Sequence, residues 1–194
     1  MSRFEFFYDF VSPYSYLAST RVEGVSARTG VPVRFRPFLL GGVFKATGNR
    51  APIEVEAKGK HMWSDLQRWA KRLSVPLARP PTFPISTVLA LRVALQADDL
   101  GRLVPFTHAA FRAYWAESRD LSAPEVVTEV ASSVGLDGPA LVAAAPAQRD
   151  SLMKQTQDAI DRGAFGAPTF FVGDELFVGN DRLDFVEEAL RRGA

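Results

Sequence analysis

"FYDFVSPYSYL", Phe7 to Leu17, sets a run of aromatic and β-favouring residues directly against Ser-Pro-Tyr-Ser. The run from Arg3 to Phe10 reads as a buried strand. Ser12 then serves as an N-cap and Pro13 as the first residue of a helix, a position where the missing proline N–H is no loss. That helix is expected to reach about Arg28 and to stop at Gly30. "VPVRFRPF", Val31 to Phe38, alternates Val33, Phe35 and Pro37 with Arg34 and Arg36, which predicts a second strand with one solvated face. Strand, helix, strand makes a parallel pair joined by a right-handed crossover.

Beyond this unit the pattern changes. Met62, Leu66, Trp69, Ala70 and Leu73 fall at helical spacing, as do Leu103, Thr107, Ala110, Phe111 and Tyr114. Between them Ser86 is expected to cap a helix through about Ala97, and Ser122 with Glu125 to form a capping box for a helix ending near Gly135. The prolines of "RPPTFP", Arg79 to Pro84, separate two of these helices. No strand pattern interrupts the block. A further helix, about Ala147 to Arg162, carries Leu152, Thr156, Ala159 and Ile160 on one face and stops at Gly163. "APTFFV" and "ELFVG", joined at Gly173 and Asp174, predict a β-hairpin. A last helix follows, with Leu183, Val186 and Leu190 turned inward. The order is βαβ, helical insert, αββα. It predicts an α/β fold in which a thioredoxin-like domain, 1–41 and 147–194, is split by an all-helical domain, 42–146.

Composition narrows the chemistry. The 194 residues are 47% hydrophobic and 23% charged, and the formal net charge is +1. Such a balance offers no polybasic field for nucleic acid or an anionic membrane surface. No stretch approaches the ~20 apolar residues needed to span a bilayer, and Glu5 and Asp9 break the first apolar run, which argues against a signal peptide. A cytoplasmic protein is the expectation. Cysteine is absent, so the chain can form no disulfide and offers no thiolate of its own. The two histidines, His61 and His108, lack metal-ligand spacing, and no metal site is expected.

Several segments, taken in order, resemble the DsbA-like superfamily, and within it the branch of 2-hydroxychromene-2-carboxylate isomerases and kappa-class glutathione transferases. They are "YDFVSPYSYL", "TGN" (Thr47 to Asn49), "KGKHMWSDL" (Lys58 to Leu66), "GAPTFFV" (Gly166 to Val172) and "FVGNDRL" (Phe177 to Leu183). His61 departs from the pattern, since the family usually shows an aromatic residue there.

On its residues alone Ser12 is a helix cap. A helix start also presents free amide hydrogens and favours an anion, so the same hydroxyl can donate to a thiolate brought by a small molecule. The resemblance implies that this molecule is glutathione. A thiol of pKa ~8.5 is only about 3% ionised at pH 7, and a downward shift of roughly two units makes the thiolate the majority species. Ser15 reads as a buried serine or a second donor, Phe10 as core, and Tyr14 as core or pocket wall. Pro168 is an ordinary strand-start proline or, as the resemblance implies, follows Ala167 through a cis bond facing Ser12, with the Ala167 backbone pairing to glutathione. "GNDR" is a turn and cap by pattern. By resemblance Asn180 and Asp181 hold the γ-glutamyl end, with the Asp181 carboxylate answering its ammonium. Asn49 and Lys58 read as a turn residue and a solvated charge, and by resemblance face the glycyl end.

A bound thiolate without a partner thiol can add to an electrophile and stay, or add and leave. The first is transferase chemistry; the second isomerises an alkene and returns glutathione unchanged. The resemblance implies the second, on 2-hydroxychromene-2-carboxylate or a related aromatic or enone ring-cleavage product. A kappa-type transferase and a thioredoxin-like binding module are the alternatives. A homodimer is compatible with the family. Trp63, Trp69, Phe111, Tyr114 and Trp115 are candidate substrate walls, most of them expected to be core.

Overall fold

The computed structural model describes residues 4–193. Strand β1, Phe4–Tyr8, is buried at every position, as a strand covered on both faces must be. Strand β2, Val33–Pro37, runs parallel to it with Phe4 opposite Val33 and Tyr8 opposite Pro37. Strands β3, Thr169–Val172, and β4, Glu175–Val178, form the expected hairpin, with β3 antiparallel to β1. The sheet order is β2-β1-β3-β4, an α/β, thioredoxin-like arrangement. Arg3, the expected start of β1, lies outside the described residues.

Alternation along β1 builds two cores. Phe4, Phe6 and Tyr8 pack with Phe35 and Phe170 on one face. Phe7 meets Phe38 and Phe171 edge-on across the other. Each such buried ring contributes about 1.5–3 kcal/mol by area. Glu5 shares the Phe7 face and is fully buried. Its carboxylate is held at 3.1 Å by Arg36 and at 2.8 Å by Arg162, and Arg162 also lies 3.6 Å over the Phe171 ring. A buried carboxylate persists only with such partners.

The single helix expected from Ser12 to Arg28 is two: α1, Pro13–Ser19, and α2, Val22–Thr29. The Ser19 and Thr20 hydroxyls donate to the Tyr16 and Leu17 carbonyls three residues back, a local competition that weakens helix continuity. Gly30 ends α2 in the left-handed conformation, φ 71°, as its position predicted. Between β2 and the last helices of the sheet layer come α3 (Leu40–Thr47), α4 (Glu56–Leu73), α5 (Val88–Asp99), α6 (Leu103–Trp115), α7 (Pro124–Ser133) and α8 (Gly138–Ala144). The described residues from 38 to 168 contain no strand. Helix α9, Arg149–Asp161, buries Leu152, Thr156 and Ala159, and α10, Leu183–Arg192, buries Leu183, Val186 and Leu190.

Two caps differ from expectation. Helix α5 starts after Thr87 rather than Ser86, and the Thr87 hydroxyl bonds to Asp9 at 2.5 Å instead of capping its own helix. Helix α7 starts after Ala123, because the Ser122 hydroxyl donates to the Asp120 carboxylate at 2.6 Å. In both places a carboxylate outcompeted the backbone amides for the hydroxyl.

Candidate active site

Ser12 occupies the N-cap of α1 and is 4% exposed. Its hydroxyl accepts from the Ser15 N–H at 3.1 Å and donates to the Ala167 carbonyl at 3.0 Å, a partner 155 residues away. The Ala167-Pro168 bond is cis. So is Phe83-Pro84, which no sequence signal marked. Ser15 is fully buried and its own hydroxyl has no partner among the described residues. Its amide positions Ser12, and its side chain lines neither of the two cavities described next.

A cavity of about 790 Å³ opens beside Ser12. Its polar lining includes Asp9, Ser12, Asn49 and Lys58; its walls include Phe44, Ile53, Val55, Met62, Phe83 and Ile85. The five aromatics proposed as walls do not line it. Phe111, Tyr114 and Trp115 are buried in the main core, and Trp63 and Trp69 face other depressions. The helical spacing of Trp69, Phe111 and Tyr114 marked packing, whereas the wall of the larger cavity comes largely from α3 and from connections that carry no periodic pattern. Phe10 is core, as expected, and Tyr14 is a wall.

Asp9 anchors the floor. Its carboxylate accepts from the Val11 N–H at 3.1 Å, the Thr87 hydroxyl at 2.5 Å and the Leu40 N–H at 2.9 Å. Burial raises its pKa, and the Thr87 and backbone donors only partly offset this. Sequence reasoning saw Asp9 only as a break in an apolar run. Its three contacts tie the β1–α1 turn to the starts of α3 and α5, which fixes Ser12 against the helical elements.

Tyr14 and Ala167 line both this cavity and a second of about 490 Å³, so the two adjoin. His61, Asp65, Trp69, Asn180 and Asp181 complete the smaller one. The Tyr14 hydroxyl donates to Asp65 at 3.0 Å, and burial with the neighbouring Asp65 carboxylate pushes the phenol pKa up, so it stays a donor. Asp65 was not singled out from sequence; its only signal was its place in the "KGKHMWSDL" segment. Asn180 is 2% exposed, and its side-chain nitrogen has no acceptor among the described residues. Its carbonyl accepts from Arg21 at 2.8 Å, which pins this loop beside the break between α1 and α2. Gly179, at φ 110° and ψ 145°, holds a backbone conformation that L side chains rarely adopt, so glycine is required here.

The sequence-predicted residues thus form two groups about one opening. Ser12, Ala167, Asn49 and Lys58 line the larger cavity, and Ala167, Asn180 and Asp181 line the smaller; Pro168 lines neither. Lys58 is exposed at the start of α4 and has no ion-pair partner among the described residues. Asn49 donates to the Phe165 carbonyl at 2.8 Å, so it braces the loop before β3 as well as lining the cavity.

A thioredoxin-like fold with serine at the first helix N-cap, opposite a cis-proline loop, and no cysteine defines the class. The chain belongs to the DSBA-like thioredoxin domain family, whose model matches residues 3–191. It is 38% identical over 190 residues to a 2-hydroxychromene-2-carboxylate isomerase of Sphingobium xenophagum, covering 96% of each chain. It is 30% identical over 208 residues to a glutathione S-transferase kappa 1 of Caenorhabditis elegans, covering 99% of this chain and 92% of that one. A solved 2-hydroxychromene-2-carboxylate isomerase superposes with a TM-score of 0.89 at 29% identity, over 97% of this chain and 94% of that one. No helix of the described residues is long and apolar enough to cross a membrane.

Proposed function

We propose that this protein is a glutathione-dependent cis-trans isomerase acting on 2-hydroxychromene-2-carboxylate or a related aromatic ring-cleavage product. One observation carries the reading: a buried serine hydroxyl stands where a thiol could be served, in a chain that has no thiol to serve. The unpartnered Asn180 side-chain nitrogen and the adjoining Asp181 carboxylate fit the zwitterionic end of glutathione, and Lys58 fits its far carboxylate. Ala167 lies between them, beside Ser12.

When bound, glutathione supplies a thiolate able to add reversibly to an enone. The chain's part is to bind, orient and stabilise. The Ser12 hydroxyl turns from the Ala167 carbonyl toward the sulfur and donates to it. The Ser15 amide keeps the Ser12 oxygen in place during that turn. The Tyr14 amide, which has no acceptor among the described residues, adds a second donor at the start of α1. The apolar walls from Phe44 to Ile85 exclude water and hold an aromatic ring.

Replacing Ser12 with Ala tests this reading. Following the ultraviolet absorbance of the bound thiolate against pH, we expect its pKa to rise toward that of free glutathione, with a loss of about 10²-fold in kcat. An unchanged thiol pKa removes the role from Ser12. The kappa relative supports a second reading, a transferase. Glutathione titrated before and after turnover separates the two: an isomerase returns it, a transferase consumes it.

A further inference from the structure

The smaller cavity holds one side chain that the proposed function leaves without a task. His61 lies on α4, four residues before Asp65, so both project from the same helix face. It is exposed, lines the cavity, and has no hydrogen bond, ion pair or ring contact among the described residues. The family resemblance supplies no role for it, because an aromatic residue usually stands there.

The other ionisable groups lining this cavity are acidic: Asp65, Asp181 and the Tyr14 phenol, which already donates to Asp65. Two guanidiniums flank the cavity without lining it: Arg182, 3.4 Å from Asp181, and Arg21, already donating to the Asn180 carbonyl at 2.8 Å. A γ-glutamyl group brings an ammonium and a carboxylate together. The two aspartates suit the ammonium and repel the carboxylate, so the carboxylate needs donors from another side. The cavity's lining includes the Asn180 side-chain nitrogen, which has no acceptor among the described residues, the indole N–H of Trp69, and the imidazole of His61, which alone of these can also carry a positive charge.

We infer that His61 is a second anchor for the α-carboxylate of the γ-glutamyl group, donating an imidazole N–H to it beside Asn180. The cavity then selects thiols that carry a free α-carboxylate at that end. This inference rests on the glutathione reading and adds to it a residue that departs from the family's usual pattern.

Calorimetric titration of the intact protein with two ligands decides the matter. One is glutathione; the other is 4-aminobutanoyl-cysteinyl-glycine, the same tripeptide without the α-carboxylate. His61→Ala is expected to weaken glutathione about tenfold, the scale of a hydrogen bond to a charged group, and to leave the analogue unchanged within about twofold. His61→Gln, which keeps an N–H donor, should recover part of the loss. Equal weakening of both ligands by His61→Ala, or weakening of neither, overturns the inference while the glutathione reading stands. Failure of the unmodified protein to bind glutathione overturns both. His61 is exposed on a helix and alanine is the best helix former, so the variant is expected to fold.

Discussion

At the scale of single residues the site is held together by a carboxylate in the lining of the larger cavity. Asp9 is 1% exposed and holds three elements by hydrogen bonds from Val11, Thr87 and Leu40. Burial raises its pKa in the folded state, so the folded protein binds this proton more tightly than the unfolded chain does. Its contribution to stability is full below the unfolded carboxylate pKa of about 4 and declines as pH rises through the higher folded value. Asn cannot titrate. In urea unfolding, the stability of the natural protein relative to Asp9→Asn should therefore fall as pH rises from about 4 toward neutrality; a difference that grows with pH contradicts the account. Ser12 is the opposite case. Its cap role was legible from Ser-Pro alone, and the structure confirms it through the Ser15 amide.

At the scale of elements, α10 seats on α2 through its buried apolar row, and an ion pair at the rim adds to it. Glu187 receives the Arg28 guanidinium on both oxygens, at 3.0 and 2.7 Å, and Arg191 from its own helix. Hydrogen bonding and attraction from Arg28, then from Arg191, hold the Glu187 carboxyl below its usual range. A depressed folded pKa gives stability that is present above the unfolded value and is lost as pH falls through the folded one. Glu187→Gln should cost about 0.5–1 kcal/mol near neutrality. The cost should shrink in high salt and vanish once acid has protonated the folded-state carboxyl; a cost that persists in acid would point to packing instead. This pairing was invisible in the sequence, because Arg28 and Glu187 are 159 residues apart. The helices themselves were visible, since Leu183, Val186 and Leu190 keep the helical period.

At the scale of the whole molecule, Trp115 binds the helical elements to the β1–α1 turn that precedes Ser12. Its indole N–H donates to the Phe10 carbonyl at 2.8 Å, and its ring packs edge-on against Tyr114 and Phe83. Phe83 in turn lines the larger cavity. Trp115→Phe leaves the Phe10 carbonyl without its donor and opens a void. We expect a loss of about 2–4 kcal/mol, read as a lower urea midpoint at unchanged m. A loss under about 0.5 kcal/mol would show that the contact is dispensable. The periodicity of α6 marked Phe111 and Tyr114 but not Trp115, which the sequence offered as a candidate substrate wall, and no local pattern says which carbonyl its indole meets.

What the sequence determined by itself is what short-range physics controls. Side-chain period, turn residues and the Ser-Pro cap specify the order of strands and helices, and the lack of cysteine excludes thiol chemistry by the chain alone. Tertiary structure decided the rest: that Ser12 meets Ala167, that Thr87 leaves its helix for Asp9, and that Phe44 and Phe83 rather than the tryptophans face the cavity. These depend on where elements dock. Docking is settled by the packing of the whole core and by competition among distant partners for the same hydroxyl or carboxylate, and no local pattern encodes the outcome of that competition.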